Sequence, residues 1–139
     1  MASTFRTVVK WYGPEFIAKL EKHEADNVKR ACIYLTSEIK RVISTKSGPC
    51  NENRKQHVPE SEFDRSKPGE PPRLQCGELR RSIAWELDAG KIVGRVGTNK
   101  IYGRYLEEGT EHMEKRPFLS STLAQQRNTI RRILLTKMK

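Results

Sequence analysis

The sequence predicts an α+β fold: an N-terminal strand, a long helix, a long extended loop, an antiparallel β-hairpin, a short helix and a C-terminal helix. Three observations predict it. Residues 14–44 carry apolar side chains at helical spacing. Residues 83–96 alternate apolar and polar positions about a turn sequence. Residues 45–75 show no period and hold five prolines and two glycines.

The first element is "STFRTVVKWYG", rich in β-branched and aromatic residues, with Phe5, Val9 and Trp11 on one face and Arg6, Val8 and Lys10 on the other. It reads as a strand over 4–12. Gly13-Pro14 closes it, and Pro14 suits the first turn of a helix. The helix runs to about Ser44. Ile17, Leu20, Val28, Ala31, Cys32, Leu35, Ile39, Val42 and Ile43 fall in one broad stripe. About 30 residues at about 1.5 Å each make a rod of roughly 45 Å. That is long for so short a chain, so part of it is expected to pack against another subunit.

The 45–75 loop has six cations and five acids, and Cys50, Val58, Phe63 and Leu74 are almost its only apolar residues. So few apolar groups cannot offset the backbone entropy of ordering a segment this long. It is expected to be ordered by a partner surface, with Phe63 as the anchor. "PGEPPR" at 68–73 is expected to be extended, because each proline fixes φ and restrains its predecessor.

A helical turn over 77–82 then leads into the hairpin. Ile83, Trp85 and Leu87 form one face of the first strand, Asp88-Ala89-Gly90-Lys91 the turn, and Ile92, Gly94 and Val96 the matching face of the second. Thr98 or Asn99 is expected to cap a short helix over 100–108. Tyr102, Tyr105 and Leu106, at i, i+3 and i+4, are its expected buried face. Gly109 suits the left-handed residue that stops it. Arg116, before a proline, is expected to be extended, and Pro117 to take the first position of a last helix over 117–136. There Leu119, Leu123, Ile130, Ile133 and Leu134 share a stripe, Arg127 and Arg131 flank it, and Asn128 and Arg132 point away.

At 139 residues the chain is expected to be one domain, divided into 1–44, 45–75 and 76–139. No apolar run nears 18 residues and the N-terminus lacks a signal-peptide layout, so no membrane contact and a cytosolic origin are expected. The net charge is +10. Residues 115–139 hold seven cations and no acid, whereas 1–114 hold 20 cations and 17 acids. The basic character, and any affinity for polyanions, therefore belongs to the C-terminal end.

Catalytic and metal chemistry find little support. The three cysteines and three histidines are scattered, without the close pairs of a zinc site, so no metal is expected and the thiols are expected to be reduced. No phosphate-binding glycine loop occurs. Glu107 and Glu108 are adjacent, so on a helix they diverge by about 100° and make no carboxylate dyad. Cys76 and His112 have nothing local to pair them. "WELDAGK" faintly resembles a nuclease acid–lysine pattern, but it spans a hairpin turn and lacks an upstream aspartate. At a helix C-terminus, Glu107 and Glu108 are either a solvated acidic patch or matched by cations: Arg104, Arg116 or an arginine of a partner. Arg116, ahead of Ser120, Ser121 and Thr122, either holds an anion at the helix start or, with Pro117, sets the entry angle of the last helix.

Taken in order, "PGEPPRLQCGELRRSI" and "VGTNKIYGRYLEEGTEHMEKRPFL" resemble the head–tail joining, or neck, proteins of tailed bacteriophages, including the lambda Z-type minor tail components. Gly77, Leu79, Arg80, Ser82 and Ile83 match that family's T-G-x-L-R-x-S-I turn. Val96, Gly97, Thr98 and Asn99 match its V-G-T-N strand end. Tyr102, Tyr105, Leu106, Glu107, Gly109 and Thr110 match its Y-x-x-Y-L-E-x-G-T helix, and Arg116, Pro117, Phe118 and Leu119 its R-P-F-L helix start. The specific resemblance covers 68–123. Cys76, Gly103 and Glu108 depart from it, where threonine, alanine and an aromatic are usual.

The resemblance implies a structural virion protein rather than an enzyme, with no catalytic residues, metal or cofactor. It implies a homo-oligomeric, hexameric ring in the neck or tail of the virion, assembled in the host cytoplasm. The implied partners are the capsid connector or stopper, the tail terminator or tail tube, and DNA passing through the channel. Gly77, Leu79, Gly97, Asn99, Tyr102, Tyr105, Gly109, Pro117 and Phe118 then form the frame. Phe63, Arg104, Glu107, Glu108, Arg116, Arg127, Arg131 and Arg132 are the candidate interface residues. The alternative is a small basic nucleic-acid-binding protein that uses its C-terminal helix.

Overall fold

The computed structural model describes residues 12–44, 66–73 and 77–137. The expected strand over 4–12, apart from Tyr12, lies outside the described residues. So do Cys76 and the 45–75 loop except 66–73, with Cys50 and Phe63. The described chain is α+β, in the order α1 (Gly13–Ser44), α2 (Glu78–Ser82), β1 (Ile83–Asp88), β2 (Val93–Thr98), α3 (Ile101–Glu108) and α4 (Leu119–Leu134).

α1 is the axis, with α4 along one side and the hairpin along another. Its 32 residues make a rod of about 48 Å. α4 runs antiparallel to it: Tyr34 Oη donates to Gln126 Oε1 at 2.8 Å, whereas Asn27 Nδ2, earlier in α1, donates to Thr136 O at 3.0 Å. The expected stripe is only partly buried. Ala31, Cys32, Ile39 and Ile43 are inside, but Ile17 and Leu20 are exposed, as is Phe16. The buried Asn27 and Thr36 lay outside the apolar pattern.

The hairpin has the expected alternation. Its register pairs Ile83 with Thr98, Trp85 with Val96 and Leu87 with Gly94. Outward Glu86 and Arg95 face each other and make an ion pair at 3.1 Å. The turn is shifted by one: Ile92 belongs to it, with φ 52, a conformation that strains a β-branched residue. Gly94 is where α1 approaches the sheet. A Cβ there would overlap Cys32 Sγ and come within 2.9 Å of Val28 Cγ1. Burial pushes the Cys32 thiol up, away from reactivity.

Ile39, Ile43, Ile83 and Phe118 form the core, with Leu35, Leu79, Val96, Leu106 and Leu119 packed against them. Phe118 is 0% exposed. Three expectations need correction around this core. Tyr102 and Tyr105 are 39% and 48% exposed, and the inward residues of α3 are Gly103, Leu106 and Glu107, one step round the helix. Gly103 sets that rotation, because it presses on β2, where a Cβ would lie 2.5 Å from Thr98 Cγ2. Leu123 and Leu134 are likewise exposed; of the expected stripe Leu119, Ile130 and Ile133 are half-buried, and two residues outside it also face inward, Thr122, which is buried, and Gln126, which reaches Tyr34 of α1. Finally, 68–70 is not extended but a tight turn closed by Glu70 N–H on Lys67 O at 3.0 Å. Pro68 and Gly69, with φ 82, suit the two central positions of a type II turn.

Candidate functional site

The most constrained place in the described structure is the junction from α3 to α4. The residue in the cap position before α3 is Lys100, whose side chain makes no capping hydrogen bond, so neither Thr98 nor Asn99 has the expected role. Thr98 Oγ1 instead accepts from Lys100 N at 3.1 Å and hydrogen-bonds Ser82 Oγ, tying the strand end to α2. Gly77 caps α2 in the left-handed conformation at φ 73.

Gly109 ends α3 with positive φ, as expected, but its ψ of 176 places it in a region open almost only to glycine rather than in the left-handed helical one. The straighter exit turns the chain at once into the Thr110–Met113 bridge. A Cβ on Gly109 would lie 3.1 Å from both Met113 O and Lys115 N. Arg116 N then donates to Leu106 O at 2.6 Å, and Gly69 N to Lys115 O at 3.0 Å. α4 begins at Leu119 with Phe118 as its cap, so Pro117 lies two residues before the helix rather than opening it.

Glu107 explains that start. Its Oε2 accepts from the N–H groups of Phe118 at 2.9 Å and Leu119 at 3.0 Å, and its Oε1 from Ser120 N at 2.8 Å. A helix start carries unsatisfied N–H groups and partial positive charge, and a carboxylate answers both. Burial by itself would raise the Glu107 carboxyl. The hydrogen bonds from the Ser120 side chain and the three backbone N–H groups outweigh it and hold the carboxyl below the ordinary glutamate value. The anion at this helix start is thus the chain's own. Arg116 is half-buried, its Nε without a partner among the described residues. Glu108 diverges from Glu107 as expected and pairs with Arg104 at 2.9 Å.

The other end of α4 is closed in the same manner. Asn27 Nδ2 donates to Leu134 O at 3.3 Å as well as to Thr136 O, and His23 Nε2 lies 2.8 Å from Thr136 O. Carbonyls left over at a helix C-terminus therefore find partners on α1.

Among the described residues two faces of the long helices stand open, besides the outward side of α3 with Ile101, Tyr102 and Tyr105. On α1, Phe16 and Ile17 are 56% and 54% exposed, and Leu20 is exposed beside them. On α4, Arg127, Arg131 and Arg132 point to solvent together with Leu123 and Leu134. Among the described residues none of these arginines has an ion-pair partner. Asn99 is exposed, Gly97 has open space where a Cβ would be, and Leu79 packs on the core. His112 is exposed in the 110–113 turn. Among the described residues no group of three or more His, Cys, Asp or Glu is arranged to hold a metal ion. No described helix is long and apolar enough to cross a membrane. The clefts at Pro68–Gly69 against 108–115, and at Ser82 against Asn99, are open and shallow. The geometry is that of a braced frame with surfaces for recognition.

Neither the curated proteins nor the solved structures yield a match to this chain. A family model described as "Bacteriophage HK97-gp10, putative tail-component" matches residues 15–109, from the start of α1 to the glycine that ends α3. That is more than half of the 139 residues, and the chain belongs to the HK97-gp10-like family of bacteriophage tail components.

Proposed function

We propose that this structural tail component assembles as a closed ring in the neck of the virion, joining the capsid connector to the tail in the way of the lambda Z-like proteins, with six copies to the ring. The carrying observation is the pairing of a braced subunit with two uncovered faces, the apolar start of α1 and the outward side of α4. An exposed apolar patch on a folded chain marks an association surface. Two unlike surfaces on one subunit suit head-to-tail closure. One core shared by α1, β1 and the start of α4 supports a single domain over 1–139. Phe63 would reach a neighbouring copy, and Arg104, Glu108 and Arg116 would contribute polar contacts at the rim.

Removing the gene tests this reading. The expected result is filled heads and free tails that do not join, with joining restored by the supplied protein. Normal joined particles without it overturn the reading. A second reading, a free-standing nucleic-acid-binding protein, is favoured by one feature: α4 carries Arg127, Arg131 and Arg132 and no acid. DNA binding by the isolated subunit, weakening steeply with salt, would support it. In a ring, the same arginines would lie along the DNA channel or against an acidic protein surface.

A further inference from the structure

The stripe of α1 that faces α4 does not stop where α4 stops. His23 and Asn27 mark the end of α4, beside Leu134 and Thr136. Phe16 precedes Tyr34 by about five full turns of helix, so it lies at the angle from which Tyr34 reaches Gln126 of α4. Leu20 stands likewise above Glu38. Residues 13–22 therefore present a helix-receiving face with no described helix on it.

Charge says what would fit there. Helical geometry puts Glu24 between Leu20 and Ile17 and Glu21 just beyond Ile17, with Lys22 at the back and Lys19 on the opposite flank, beside Phe16. On α4 the outward face has Arg127 and Arg131 at its centre and Leu123 and Leu134 along one side. Among the described residues, Glu21, Glu24, Arg127 and Arg131 have no ion-pair partner. Each face thus offers leucine-sized apolar groups alongside two charges, of opposite sign on the two faces. The lengths agree as well: 13–26 spans about 21 Å, and the 16 residues of α4 about 24 Å.

We propose that residues 13–26 of α1 in one copy lie antiparallel along the outward face of α4 in the next copy, with Phe16, Ile17 and Leu20 beside Leu134, Glu21 against Arg131 and Glu24 against Arg127. The proposal rests on the ring reading and names the two faces that make the ring. Because the faces are unlike, the contact is heterologous and repeats from copy to copy.

Reversing the charges on each side separately tests it, using the full chain in sedimentation equilibrium. Wild type is expected to self-associate. Glu21→Arg/Glu24→Arg alone and Arg127→Glu/Arg131→Glu alone are each expected to raise the dissociation constant at least about 100-fold, because like charges then meet. Mixing the two variants is expected to restore association, since each supplies the face the other's reversed face now matches. Circular dichroism of each variant shows that it is folded. If either variant alone associates like wild type, or the mixture does not recover, this contact is wrong while the ring stands. A wild-type chain that stays monomeric at every concentration removes the ring reading with it.

Discussion

The two parts of α1 obey one pattern and meet different fates. From Asn27 to Ile43 the stripe is covered by the hairpin, Phe118 and α4. From Gly13 to Leu20 the same spacing of large apolar groups stands in solvent. Periodicity thus identifies a face, and does not say which molecule covers it. α4 repeats the lesson around its girth: its inner side and both ends are answered within the chain, and its outer side is not, among the described residues.

The sharpest way to break this comparison is one chemical change made in both regions. Phe118→Ala empties a fully buried site and is expected to cost about 3–5 kcal/mol. Phe16→Ala is expected to change the stability of the isolated subunit by less than about 0.5 kcal/mol. Denaturant unfolding of both variants checks the pair, and equal losses would put Phe16 in the core. Glycines allow a second contrast. Gly109→Val meets both a forbidden backbone region and backbone atoms 3.1 Å away, for an expected loss of about 2–3 kcal/mol or more. Gly97→Ala meets open space at an ordinary φ and is expected to be near neutral.

Glu107→Gln removes the charge from the start of α4 and is expected to cost about 1–2 kcal/mol at neutral pH. Its pH dependence separates this cap from a surface charge. The folded carboxyl is held below its ordinary value, so the unfolded chain takes up the proton first as pH falls. The Glu107 contribution is present above the unfolded pKa and is lost as pH falls through the folded one. The variant and wild type should therefore converge in acid. A gap that stays constant down to the folded pKa and beyond would mean that the carboxylate is not the cap. The smallest expected effect on stability, again below about 0.5 kcal/mol, is that of Leu20→Ser, which should nevertheless weaken self-association.

How far the sequence revealed this molecule depended on the range of the interaction. α1, the hairpin faces and the positive φ of Gly109 follow from local spacing and turn chemistry, and all were legible. The caps of α4 were not, because Glu107 lies eleven residues before Phe118, and Asn27 more than a hundred before Leu134. The rotation of α3 does not show in its apolar spacing, because its buried residue is Gly103, which has no side chain to count. On α4 polar residues take inward places for a similar reason: Thr122 is buried with its hydroxyl bonded back to Phe118 O, Gln126 reaches Tyr34, and Leu123 and Leu134 remain outside. In "PGEPPR" the Pro68-Gly69 pair, which suits a type II turn, prevails over the extended tendency of the prolines around it. The two tyrosines and the outer leucines are, in consequence, additional open surface.

The most direct measurement is a cryo-electron microscopy map of the neck of the parent virion at a resolution that traces helices. The account predicts a closed ring of this chain in which residues 13–26 of each copy are covered by α4 of its neighbour. A ring in which that end of α1 stands free in solvent, or a neck with no ring of this chain, would contradict it.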